Sequence, residues 1–244
     1  MNSFSFVFLC SMVIFFATSI GALLVYALTT INKKTEKKCL GLASGIMFAS
    51  AIWSLLMPAL DSTNFIFVLI GFVVGIWIII KLDNFVKKYT DKKSKKNNML
   101  FIAMTLHNIP EGMTVGLMST YAYQNNSAIT ISAALALTIG IAIQNIPEGA
   151  SISLNYRQAG LSKFKSAFLG ILSGIVEPIS AIIMFFMFTY LAFLLPFVLA
   201  AAAGIMIYVV INELMPGATS ENSNLGSIYF ILGFIIMMGL DVLL

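Results

Sequence analysis

Two glutamates lie in stretches that are otherwise too apolar to hold them. Glu111 and Glu148 each sit in the run Asn-Ile-Pro-Glu-Gly, at 108–112 and 145–149, with His107 ahead of the first copy and Gln144 ahead of the second. A carboxylate at the centre of a bilayer costs at least about 2.5 kcal/mol, so one that persists there lines a pathway or binds something. On a helix, His107, Asn108 and Glu111 share one face through their three- and four-residue spacing, and Gln144, Asn145 and Glu148 repeat that geometry on the next helix. Imidazole nitrogen together with carboxylate and amide oxygens is a borderline donor set, suited to first-row divalent cations such as zinc, iron or manganese. A lone histidine or glutamate is more often a packing hydrogen bonder. The repetition of the whole set on consecutive helices favours a metal site.

Further residues fit around this pair. Pro110, Pro147 and Pro178 donate no backbone hydrogen bond, which predicts helices broken there and releases the carbonyls of Leu106, Ile143 and Gly174. Backbone oxygens freed at membrane depth are tolerated where they meet protein or line a wet cavity. Glu177, next to Pro178, reads as a third contributor to the same cavity. Glu213, beside Asn212, is a candidate for the pathway, and Met47 is the one methionine of the fourteen put forward as a soft ligand.

The elements that must position these groups follow from composition. The chain has 244 residues, of which 59% are hydrophobic and 10% charged. Such a balance excludes a soluble domain with a polar surface and leaves no room for a separate soluble catalytic domain. Hydropathy places eight spans near 4–31, 40–60, 65–82, 99–123, 127–155, 166–190, 192–215 and 226–244. The first is longer than a signal-peptide core and has no basic stretch ahead of it, so it reads as a retained span. All fourteen Lys and Arg residues fall in or beside three connections: 33–38, 81–96 (with a Lys-rich loop at 83–98) and 157–165. With eight spans these share one side, which the positive-inside rule makes the cytoplasm, and both termini then face outward. The predicted fold class is all-α, a polytopic membrane protein of eight transmembrane helices with a metal site between helices 4 and 5. The formal charge of +4 is explained by topology, and no nucleic-acid partner is expected. Gly71 and Gly75 form a small-residue stripe that suits packing within one chain or in a homodimer.

The repeated motif resembles that of the ZIP family of divalent-metal transporters, in its prokaryotic branch. Gly41–Leu56, Leu172–Pro178, Ala203–Pro216 and the closing Leu240-Asp241-Val242 are similar to it as well. The resemblance implies an eight-helix bundle with outward termini and a two-metal centre held by His107, Asn108, Glu111, Gln144, Asn145, Glu148 and Glu177. Glu148 would be the bridging carboxylate and Met47 the span-two contact. Gln144 stands where many relatives carry histidine, Asn145 where some carry aspartate, and Asn212 where an acid is common, which implies weaker binding at the second position. The expected function is import of a divalent cation, Zn²⁺ first and Fe²⁺, Mn²⁺ and Cd²⁺ beside it, into the cytoplasm. The expected location is the plasma membrane, as a multi-pass protein of a bacterial inner membrane. Its partners are the metal ions and the lipid bilayer, and no catalytic cofactor or enzymatic activity is expected. Two alternatives are an intramembrane metal-dependent hydrolase, for which the single histidine and missing His-Glu-x-x-His pattern speak poorly, and a non-transporting metal sensor.

Overall fold

The computed structural model describes residues 2–28, 32–89, 95–124, 130–220 and 224–243, of which 86–89, 95–104, 106, 107, 189, 191, 192, 242 and 243 are described as backbone only. All regular structure among these residues is helical. The helices are α1 (Ser3–Leu23), α2 (Lys33–Ser50), α3 (Met57–Ser62), α4 (Phe65–Tyr89), α5 (Lys95–Tyr123), α6 (Ile131–Gln158), α7 (Lys163–Gly174), α8 (Val176–Leu191), α9 (Leu195–Val209), α10 (Met215–Ala218) and α11 (Leu225–Leu243). Three pairs are single interrupted rods: α2 with α3, α7 with α8, and α9 with α10. The result is eight rods. Among the described residues six are long and apolar enough to cross a membrane, and the apolar stretch of α11, Leu225–Asp241, is shorter.

Polar residues at the rod ends start the helices. The side chains of Asn2, Asn32, Asn64, Thr130 and Ser162 accept from the backbone N–H groups of Ser5, Lys34, Phe67, Ala133 and Lys165, capping α1, α2, α4, α6 and α7. α2 and α7 begin several residues ahead of the hydropathy limits because a lysine-bearing first turn remains helical beyond the apolar core. α6 stops at Gly160, whose φ of 95° suits the bonds from its own N–H to the Arg157 carbonyl and from the Leu161 N–H to the Tyr156 carbonyl.

Four close pairings build the bundle: α1 on α6, α5 on α8, α2 on α11 and α4 on α9. Each is a glycine seam. A side chain at Gly149 would strike the Thr18 carbonyl, one at Gly112 the Glu177 carbonyl, one at Gly45 the Phe230 carbonyl and one at Gly75 the Ala201 carbonyl. Gly71 likewise meets Phe197, so the Gly71/Gly75 stripe packs within the chain. The pairings sort into two groups. One holds α1 and α5–α8, the other α2–α4 and α9–α11, with α2 against α6 and thinner contacts between α5 and the α4/α9 pair joining them. Large apolar side chains left exposed, such as Phe65, Ile66, Val73 and Ile183, face the surroundings a bilayer would supply.

The prolines act differently from expectation. α5 and α6 run uninterrupted through Pro110 and Pro147. Two residues after each proline a glycine packs against a neighbouring backbone, Gly112 on Glu177 and Gly149 on Thr18. Pro178 lies in the first turn of α8, where its missing N–H breaks nothing, and the rod is interrupted at Ile175. Two other prolines mark distortions. Ahead of Pro58 and Pro216 the chain forms π-helical turns, Ala51–Leu56 and Val210–Leu214. In each, the amide of the methionine before the proline reaches five residues back, Met57 to Ile52 and Met215 to Val210.

Candidate metal centre

α5, α6 and α8 bring their acids and amides together in the buried middle of the first helix group. Glu111, Gln144, Asn145 and Glu177 are fully buried, and Asn108 and Glu148 are 2% exposed. Gln144 Nε2 donates to Glu111 Oε1 (2.5 Å), which ties the first motif to the second. Asn145 Nδ2 donates to Glu177 Oε1 (3.1 Å), which ties the second motif to α8. Asn108 Nδ2 donates to the Ser173 carbonyl (3.1 Å) in the last turn of α7.

The amides have directed orientations. Their NH₂ groups hold carboxylates or backbone, while Asn108 Oδ1, Gln144 Oε1, Asn145 Oδ1 and Glu177 Oε2 are buried with no hydrogen-bond donor. A buried acceptor without a donor costs about 1–3 kcal/mol. Four such acceptors on neighbouring helices are chemically suited to a cation, which offers positive charge to oxygen without needing an N–H or O–H. Among the described residues no three His, Cys, Asp or Glu side chains form a preassembled cage.

The other expected residues are placed as follows. The His107 side chain lies outside the described residues; its backbone is in α5, one turn before Glu111. Met47 is 1% exposed in the main apolar core that also holds Val115 and Ile141. Glu213 is half-buried within the second π turn.

Sequence reasoning missed Thr18. It comes from α1, is 1% exposed, and its hydroxyl donates to Glu177 Oε1 at 2.7 Å. A threonine in an apolar helix gives no signal by itself. It missed the π turns too, although Leu-Met-Pro at 56–58 and again at 214–216 is a repeat visible in the sequence.

Comparison with known proteins decides the family. The sequence profile described as "ZIP Zinc transporter" matches residues 97–241, which hold both motifs and Glu177. The zinc transporter ZupT of Chlorobaculum parvum is 32% identical across 100% of this chain and 98% of its own length.

The chain belongs to the ZIP zinc transporter family.

The zinc transporter ZIPB of Bordetella bronchiseptica is 31% identical over 94% of this chain and 78% of that protein. Human zinc transporter ZIP11 is 38% identical over 59% of this chain, a match that spans only 42% of the human protein. Membership makes this all-helical ZIP chain a polytopic membrane protein, in agreement with its apolar rods.

Proposed function

We propose that the protein imports a divalent cation, Zn²⁺ foremost, into the cytoplasm through the cluster of Asn108, Glu111, Gln144, Asn145, Glu148 and Glu177, with His107 one turn away. The observation that carries this reading is the set of buried carboxylate and amide oxygens joined across α5, α6 and α8 with acceptors that no donor satisfies. The cation sheds water stepwise onto Glu111 and Glu148, and amide oxygens complete its shell. Neutral amides in place of further carboxylates keep the ion from binding too tightly to leave, which conduction requires. Fe²⁺, Mn²⁺ and Cd²⁺ compete for the same oxygens. Residence in the plasma membrane is supported by the bacterial ZIP relatives, and both termini facing outward by the basic connections. Two contacts support their common side. Lys163 Nζ donates to the Tyr26 carbonyl at the end of the first rod, and Lys37 Nζ to the Ser220 carbonyl after α10.

Uptake of radioactive zinc into proteoliposomes tests the reading, wild type against Glu148→Ala and Glu111→Ala, with iron, manganese and cadmium as competitors. The expectation is saturable uptake by the wild type and loss of at least tenfold in each variant. Normal uptake in both variants would sink the proposed site, and no flux of any of these ions through folded wild type would sink transport.

A further inference from the structure

Glu177 has two carboxylate oxygens in unlike surroundings. Oε1 accepts from Thr18 Oγ1 (2.7 Å) and from Asn145 Nδ2 (3.1 Å), whereas Oε2 is buried and has no donor. Thr18 is held in place from three sides. Its hydroxyl also reaches the Ile14 carbonyl (3.3 Å), its own carbonyl lies against Gly149 of the second motif, and its methyl lies against Gly174, where a side chain would approach Cγ2 to 2.9 Å. Any residue larger than glycine at either position would push α1 away from Glu177. The two glycines thus make a socket for Thr18, and Thr18 locks one oxygen of the carboxylate.

A carboxylate with one oxygen committed to two donors presents only the other to a cation. It binds through one oxygen. That suits a small ion with four ligands at about 2.0–2.2 Å, as zinc prefers. Larger divalent ions with higher coordination numbers gain more from a carboxylate that grips through both oxygens. We infer that Thr18 is a specificity-determining residue, which makes Glu177 a one-oxygen ligand and so biases the site toward small divalent cations over large ones. The inference rests on the metal-site reading proposed above. Thr18 acts through Glu177 and touches no ion itself.

Purified full-length protein in detergent provides the test, through competition binding of Zn²⁺ and Cd²⁺ to wild type, Thr18→Val, Thr18→Ser and Thr18→Ala. Valine keeps the volume and removes the hydroxyl, serine restores the hydroxyl, and alanine serves if valine does not fold. The ratio of the two dissociation constants is the readout, because a merely structural defect weakens both ions alike. The expected result is a shift of about tenfold toward Cd²⁺ in Thr18→Val or Thr18→Ala, reversed in Thr18→Ser. Cadmium-edge X-ray absorption should show a higher mean oxygen count in the valine variant. An unchanged ratio in the folded variants overturns the role of Thr18 while leaving the site intact. Failure of the wild type to bind either ion overturns both readings. Flux in proteoliposomes is scored separately, so a binding protein that does not transport is recognised as such.

Discussion

Glu111 is held by Gln144 and Glu177 by Thr18 and Asn145, and the glycines decide whether those neighbours can arrive. Gly149 is the sharpest case, because a methyl group there would overlap the Thr18 carbonyl and crowd the Ala22 amide at 3.0 Å. Overpacking of this kind costs about 1–3 kcal/mol. Gly149→Ala should therefore lower the unfolding midpoint in detergent and reduce uptake several-fold by lifting α1 off Glu177. Gly239→Ala is the control. It lies in the interior of α11 with nothing within 4 Å of an added methyl group, so it should be neutral or gain about 0.5–1 kcal/mol from the stiffer backbone. Equal behaviour of the two variants, in melting and in uptake, would remove the socket argument. At this scale the sequence was legible wherever a charge stood in apolar surroundings, which is how Glu111, Glu148 and Glu177 stand out. Thr18 did not, because a hydroxyl in an apolar helix usually just bonds the carbonyl four residues back, as Thr120 and Thr138 do here. Only tertiary packing shows that the Thr18 hydroxyl reaches further.

Hydropathy located apolar segments but said little about the course of the backbone inside them. The prolines that looked disruptive, Pro110 and Pro147, stand in continuous helices, whereas Pro58 and Pro216 follow π turns. Ahead of Pro58 and Pro216 the preceding methionine amide bonds the carbonyl five residues back, whereas the helices around Pro110 and Pro147 keep their regular course. The second π turn carries Glu213, the residue put forward for the pathway, so its shape sets where that acid points. Pro216→Ala returns an N–H that can bond the Asn212 carbonyl, and a hydrogen bond of this kind is worth about 1 kcal/mol net. The variant should melt at the same temperature or higher while its uptake falls several-fold, because a tightened turn re-aims Glu213. Unaltered uptake with raised stability would mean that the π turn has no part in transport.

Over the whole molecule, the charge count gave orientation, and the family match agrees with a polytopic bundle. The partition of eight rods into two groups was not legible, because it depends on which glycine stripe meets which partner across long sequence distances. The seam between the groups is uneven. Between α5 on one side and α4 with α9 on the other lies a cavity of about 340 Å³, walled by Ile79, Leu82, Ile109, Met113, Ala202 and Ile205 among others. Protein interiors are close-packed, so a partly open gap of this size between the groups leaves room for one to move against the other. Pro110 also lines it, within the first motif, which places the gap one helix face away from Glu111. If ion movement requires the groups to shift along this seam, filling the gap should stop the shift and leave the oxygens untouched. Ala202→Trp does that from the α9 side. Its expected effects are a Zn²⁺ dissociation constant within about twofold of wild type, a higher unfolding midpoint from the added burial, and a maximal uptake rate lowered at least fivefold. Unchanged flux in a variant shown by its melting curve to have filled the cavity would mean that the two groups stay fixed at this seam while the ion passes.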